Sequence, residues 1–233
     1  MTAALVAATV LSYAIGWTVK SPLLVPILNT LASFPFMVAA LRRGNVRLAV
    51  GRMLIWALAL AVSATSLAYW RPWEAGRIFA NGAAYREEMF AWLMTGVGAE
   101  SSPSRFIPLH ARDTAIFAVV DLITGGFGGM AMGAALMNYM GTYVGSLAAA
   151  SRQPIAAAIL GWHPWSIIRV VSFVVIGVAL SVPLLSRVLG FREDTHERNR
   201  LLMWAAAGLV ADIVLKALLA PAWRNLLVRI AGW

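Results

Sequence analysis

An all-α bundle of membrane-spanning helices is the fold class that this sequence predicts, and three observations carry the prediction. Of the 233 residues, 61% are apolar and only 12% charged, whereas a soluble domain runs nearer one quarter charged. The charge deficit falls in blocks of about 18 to 24 residues, the length of a helix that crosses hydrocarbon. Basic residues and tryptophans gather at the block ends, as membrane anchoring requires.

The first block, 2–19, closes on Lys20-Ser21-Pro22, and the second, 23–41, follows at once as a tight hairpin. Pro26 and Pro35 lie inside the second block, where neighbouring helices can repair the lost backbone bond. A third block, 50–69, follows Arg42, Arg43, Arg47 and Arg52 and ends at Trp70-Arg71-Pro72-Trp73. Residues 71–113 are the one long polar stretch. Within them, Asn81 to Thr95 has the composition of an amphipathic helix lying on the membrane interface, and Gly96 to Pro108 reads as a returning loop. A glycine-rich fourth block covers 114–136. The piece 153–165 is too short to cross and is expected to lie flat or re-enter. The fifth and sixth blocks are 166–189 and 201–220.

Six crossings put both termini on one side. Arg42, Arg43, Arg47, Arg52, Arg152, Arg224 and Arg229 then share that side without an acid among them, which predicts cytoplasmic termini in a bacterial cytoplasmic membrane and an outer 71–113 segment. The net charge of +9 is spent at these ends, on membrane lipids, and no nucleic-acid partner is expected. Cysteine is absent, which removes disulfide, thiolate and Cys-ligated metal chemistry. No phosphate loop, HExxH or GxSxG occurs, and the three histidines, His110, His163 and His196, lie outside the expected spans. No cofactor or metal is therefore expected, and an enzyme is the less favoured class.

Two features remain as candidates for function. Gly125, Gly129 and Gly133, resumed by Gly141 and Gly145, repeat at spacing four. That spacing puts them on one helical face, where a neighbouring backbone can approach closely. A helix faced this way predicts packing against another copy of the chain or another membrane subunit, and alternatively a backbone-lined path. The second feature is charge inside the spans, which costs at least about 2.5 kcal/mol at the bilayer centre unless paired or hydrated. Asp121, Arg169, Asp212 and Lys216 qualify, with Asp212 and Lys216 one turn apart on one face and able to neutralise each other. Joined by Asn138, these four define a tentative path beside the fourth helix for a small solute, ion or lipid. Two other functions stay open: a non-catalytic subunit of a larger membrane complex, and an enzyme on lipid-linked substrates using Arg86, Glu88, Arg105, His110 and Asp113 of the outer segment.

Overall fold

The computed structural model describes residues 1–233 and is 86% helix with no strand. Helices α1 (Thr2–Val19), α2 (Leu24–Leu41) and α3 (Val46–Trp70) form an up-and-down unit. Lys20 closes α1 in the left-handed conformation, and Asn45 caps α3 by accepting from the Leu48 amide at 2.8 Å. The polar stretch is helical almost throughout. It contains α4 (Pro72–Ile78), α5 (Gly82–Thr95), a single 3-10 turn at Ala99–Ser101, and the first half of α6 (Pro103–Thr124). After it come α7 (Phe127–Ala150), α8 (Pro154–Leu160), α9 (Pro164–Leu189) and α10 (Thr195–Ala231). Prolines open α4, α6, α8 and α9, where the missing N–H has no helical partner to lose.

Five of these helices, α1, α2, α3, α9 and α10, are long and apolar enough to cross a membrane. The expected fourth block is not a continuous helix. Gly125 and Gly126 both take positive φ, 60° and 93°, so α6 ends and α7 begins in the middle of the glycine stripe. The chain reverses there, and Gly126 is wedged against Ser181 of α9 and Met37 of α2. A side chain at either glycine would be strained by its backbone alone.

Contacts fix the helix directions. Met1 lies beside Arg52, and Tyr13 reaches the Leu60 carbonyl, so α1 and α3 are parallel. Gly141 faces Ala64 while Gly145 faces Ala68 and Tyr69, so α7 is parallel to α3 as well. At the other terminus, Ser151 donates to the Ile230 carbonyl and Trp233 packs on Phe90. The chain therefore begins at the Arg52 end of the bundle and finishes at the Ala150 end, with α6 running back between the two ends ahead of α7. Arg152, Arg224 and Arg229 consequently lie at the opposite end from Arg42, Arg43, Arg47 and Arg52, and the basic residues are divided between the two ends.

Buried apolar residues form two cores. The larger one joins α1, α2, α3, α9 and the beginning of α7, with Leu5, Val25, Leu60, Ala134 and Val178 among its members. The smaller joins α5, α8, the end of α7 and the end of α10, through Met89, Trp92, Tyr143, Trp165 and Leu227. Helix α5 exists as expected from its composition, but Met89, Trp92 and Leu93 are buried in this second core. At 37 residues, α10 measures about 55 Å, well beyond the roughly 30 Å of hydrocarbon. Its surplus length runs through the second core.

The glycine face is used inside the chain. A Cβ on Gly145 would collide with the Thr65 carbonyl and sit 2.7 Å from the Tyr69 amide nitrogen, and one on Gly141 would collide with Ala64. Gly129 is covered by Asp121, and only Gly133 of the stripe has nothing within 4 Å. Close approach, the property that spacing four predicts, is realised between α7 and α3.

Candidate functional site

A polar seam separates the two cores. On α9, Trp165 belongs to the smaller core and Val175 to the larger, and Arg169 stands between them. On α10, Ala205 and Ala220 mark the same two cores, with Asp212 and Lys216 in the interval. On α7, Asn138 lies between Met137 of one and Met140 of the other. Helix positions alone thus bring four of the five sequence-predicted residues to one level.

Pairing across the seam differs from the expectation. Asp212 does not neutralise Lys216. Arg169 holds Asp212 in a fork, Nε donating to Oδ2 at 2.8 Å and Nη2 to Oδ1 at 3.0 Å, a geometry matched to a carboxylate. Lys216 instead donates to Glu100 Oε1 at 2.7 Å, with its ammonium 4.5 Å from the centre of the Phe106 ring. Neither Lys216 nor Asp212 reaches the surface, their side chains being 1% and 2% exposed. Burial without pairing would cost each of them several kcal/mol, which the Glu100 carboxylate offsets for Lys216 and the Arg169 guanidinium for Asp212. His110 completes the cluster, its Nδ1 3.6 Å from Asp212 Oδ2 and without a hydrogen-bond partner.

Glu100 and His110 are the residues that sequence reasoning placed elsewhere. They sit in the polar stretch, read as an outer loop, and nothing in their spacing points to α10. The other loop candidates do not converge. Asp113 pairs with exposed Arg112, Glu88 is exposed, and Arg86 lies 4.6 Å over the Trp73 ring. A shared acid–base site of Glu88, His110 and Asp113 is therefore absent.

Groups outside the spans report the electrostatics. Burial alone would raise the Glu100 pKa, but Lys216, His163 and Arg169 together outweigh it and hold the carboxyl below its ordinary value. Glu100 is accordingly an anion facing a cation. Burial, reinforced by Glu100 and Tyr139, drives the Tyr85 hydroxyl far above its usual range, leaving a neutral donor beside the cluster. His163, expected at the interface, is fully buried and stacked on Trp165 at 4.7 Å. Burial pushes it down to about 4, so the imidazole is neutral near pH 7.

Asp121 and Asn138 belong to other surroundings. Asn138 anchors a hydrogen-bonded chain across three helices. It accepts from the Tyr13 hydroxyl and donates to Asn29 Oδ1 at 3.1 Å, while Asn29 donates to Ser12 Oγ at 2.7 Å. Every member is buried and partnered, the condition under which a polar network fixes one arrangement of helices. Asp121 is the opposite case. Its side chain is fully buried, and neither carboxylate oxygen has a hydrogen-bond partner. It fills space left by Gly129 of α7 and Gly177 of α9. Gly177 is halfway along Pro164–Leu189, which places the carboxyl near the middle of a spanning helix. Eleven residues of α6, about 16 Å, separate it from His110, and Phe117 stacked edge-on to Phe173 at 4.8 Å lies between.

No group of three or more His, Cys, Asp or Glu side chains is arranged to hold a metal ion. A surface groove of about 560 Å³ between α1 and α3 is lined by residues such as Val10, Trp17 and Leu67 and reaches none of the charged groups. No protein family model, no curated protein and no solved structure matches this chain, and its five long apolar helices suggest a membrane protein.

Proposed function

We propose that this chain is a multi-pass transporter that moves a small solute or ion along α6, α7 and α9, with Asp121 taking up and releasing a coupling proton. The observation that carries the reading is the Asp121 carboxyl, buried at mid-span with no partner. An uncompensated carboxylate is among the most expensive groups to keep in a membrane, and one that persists marks a proton or ion pathway by default. Arg169, Asp212 and Lys216 supply buried charge at the seam one α6 segment away, and the Asn138 network stiffens α7 against α1 and α2. The glycine turn at Gly125–Gly126 supplies a point at which α6 and α7 can move relative to α9. A bacterial cytoplasmic membrane suits a proton-coupled device of this kind.

The test uses the full chain in liposomes that enclose a pH-sensitive dye. A panel of small carboxylates, amines, sugars and inorganic ions is added outside. Wild type is expected to move protons in response to at least one solute. Asp121→Asn should reduce that movement at least about tenfold, the signature of a lost step and not of altered affinity, with an unchanged chromatographic profile. No proton movement with any solute, or full movement in Asp121→Asn, overturns the reading. A chain that instead purifies only with another membrane subunit, and moves nothing alone, would favour the docking-subunit function.

A further inference from the structure

Glu100 does not belong to the spanning helices, yet it is the sole anionic partner of a lysine sealed between the cores. The segment that carries it is short, packs on α5, α6 and α10, and makes its own hydrogen bonds locally. Gly96 has positive φ and Gly98 is extended, and Ser101 bonds only within the segment, to the Gly96 carbonyl at 2.8 Å and that of Gly98 at 3.3 Å. Arg224 ties down the residues before it, donating to the Trp92 and Met94 carbonyls, and Pro103 starts α6 just after. Between these fixed points the 3-10 turn inserts one side chain into the seam. Glu100 is 14% exposed against 1% for Lys216, so the side chain enters from nearer the surface and its carboxylate meets the ammonium at the floor.

The cations at that floor outnumber the anions that the spanning helices supply. Arg169 and Lys216 face Asp212 alone, and Asp212 is already held in the Arg169 fork. Glu100 from the 3-10 turn makes up the difference. Around it stand the Phe106 ring under the ammonium and His110 with its unpartnered Nδ1. A buried cation and a ring, closed by a tethered carboxylate, have the chemistry of a carboxylate site occupied by part of the protein itself.

We infer that Lys216, with Arg169 and the Phe106 ring beside it, is a binding site for a carboxylate-bearing ligand, and that Glu100 fills it as an internal stand-in until the 96–102 segment swings away. The inference deepens the transport reading by naming the class of solute. It also stands apart from that reading, because binding is measured without flux. The carboxylate can reach the site on a soluble molecule or on a fatty acid from the lipid, and the two sources are separated by probe.

The experiment compares thermal unfolding of the detergent-purified full chain, wild type and Glu100→Ala, in sodium acetate, in micellar oleate, and in sodium chloride at matched ionic strength. Glu100→Ala is expected to unfold at a lower temperature than wild type and to recover with a carboxylate but not with chloride. Acetate activity identifies a soluble ligand, and activity of oleate alone a lipid-borne one. Glu100→Gln, which keeps the volume and removes the charge, serves if the alanine variant does not fold. It should respond at a roughly tenfold lower acetate concentration than wild type, because a tethered competitor at millimolar effective concentration has been removed. The second substitution in Glu100→Gln/Lys216→Met should abolish the response. Equal stabilisation by acetate, oleate and chloride, or an undiminished response in the double variant, overturns the site. A carboxylate response in a protein that moves no protons would retain the site and discard the transport function.

Discussion

The two cores of this protein differ in the polar groups that border them, and the difference locates the chemistry. The larger core is mainly aliphatic, with Leu5, Val25, Leu60 and Val178 beside Met37, Met53, Trp56 and Phe79, and its helices pack with little polar material apart from the Asn138 network and Asp121. The smaller core holds Trp92, Tyr143 and Trp165 among aliphatic side chains, and Tyr69, Tyr85, Phe90, Tyr139 and Trp223 pack against it as an aromatic border. Aromatic side chains with a polar edge can border charge while burying area, and the seam of Arg169, Asp212, Lys216, Glu100 and His110 lies along this second core. A bilayer needs the first kind of interior. The second serves to hold charged groups at a fixed depth.

The comparison is broken most forcefully at the seam. Asp212→Ala leaves the Arg169 guanidinium buried without its fork, and loss of one member of a buried pair costs about 3 to 5 kcal/mol. Equilibrium unfolding in mixed micelles should show that loss, with much less for Asp212→Asn, which keeps an acceptor. In the smaller core, His163 makes stability depend on pH. Its folded value of about 4 lies below the ordinary value near 6.5, so the unfolded chain binds the proton first. Stability should fall as pH drops from about 6.5 to 4, by about 3 kcal/mol, and level off below. His163→Gln should flatten that slope in a pH series of melting curves.

Smaller effects are expected in the aliphatic core. Gly145→Ala drives a methyl into the α3 backbone and should cost about 1 to 3 kcal/mol by overpacking. Gly133→Ala, on the same face but open, should change stability by less than about 0.5 kcal/mol, and the two melting temperatures measured together separate close approach from helix propensity. Tyr13→Phe removes the hydroxyl that Asn138 accepts, and should cost about 1 kcal/mol, the usual worth of one hydrogen bond between membrane helices.

Much of the aliphatic core was legible in the sequence, because a run of 18 apolar residues closed by Lys20-Ser21-Pro22 has one stable solution in a bilayer. The glycine stripe likewise announced close approach at Gly141 and Gly145. It concealed the reversal at Gly125–Gly126, because glycines that pack and glycines that turn look alike when their φ is unknown. Charge pairing was legible only in part. Asp212 and Lys216 are four apart, which suggests a local pair, but a bidentate guanidinium from α9 outcompetes an ammonium on the same helix. The Lys216 partner is 116 residues away, in a segment whose polarity resembles that of any exposed loop. Asp121 was recognisable as a charge in a span. That nothing pairs with it is a property of three packed helices and could not be read from one.

The most direct test is an infrared difference spectrum of wild type against Asp121→Asn in lipid at neutral pH. The account predicts a protonated-carboxyl band in wild type that vanishes in the variant and changes when a proton gradient is imposed across the vesicle membrane. A wild-type spectrum without that band, or one whose band survives Asp121→Asn, would contradict it.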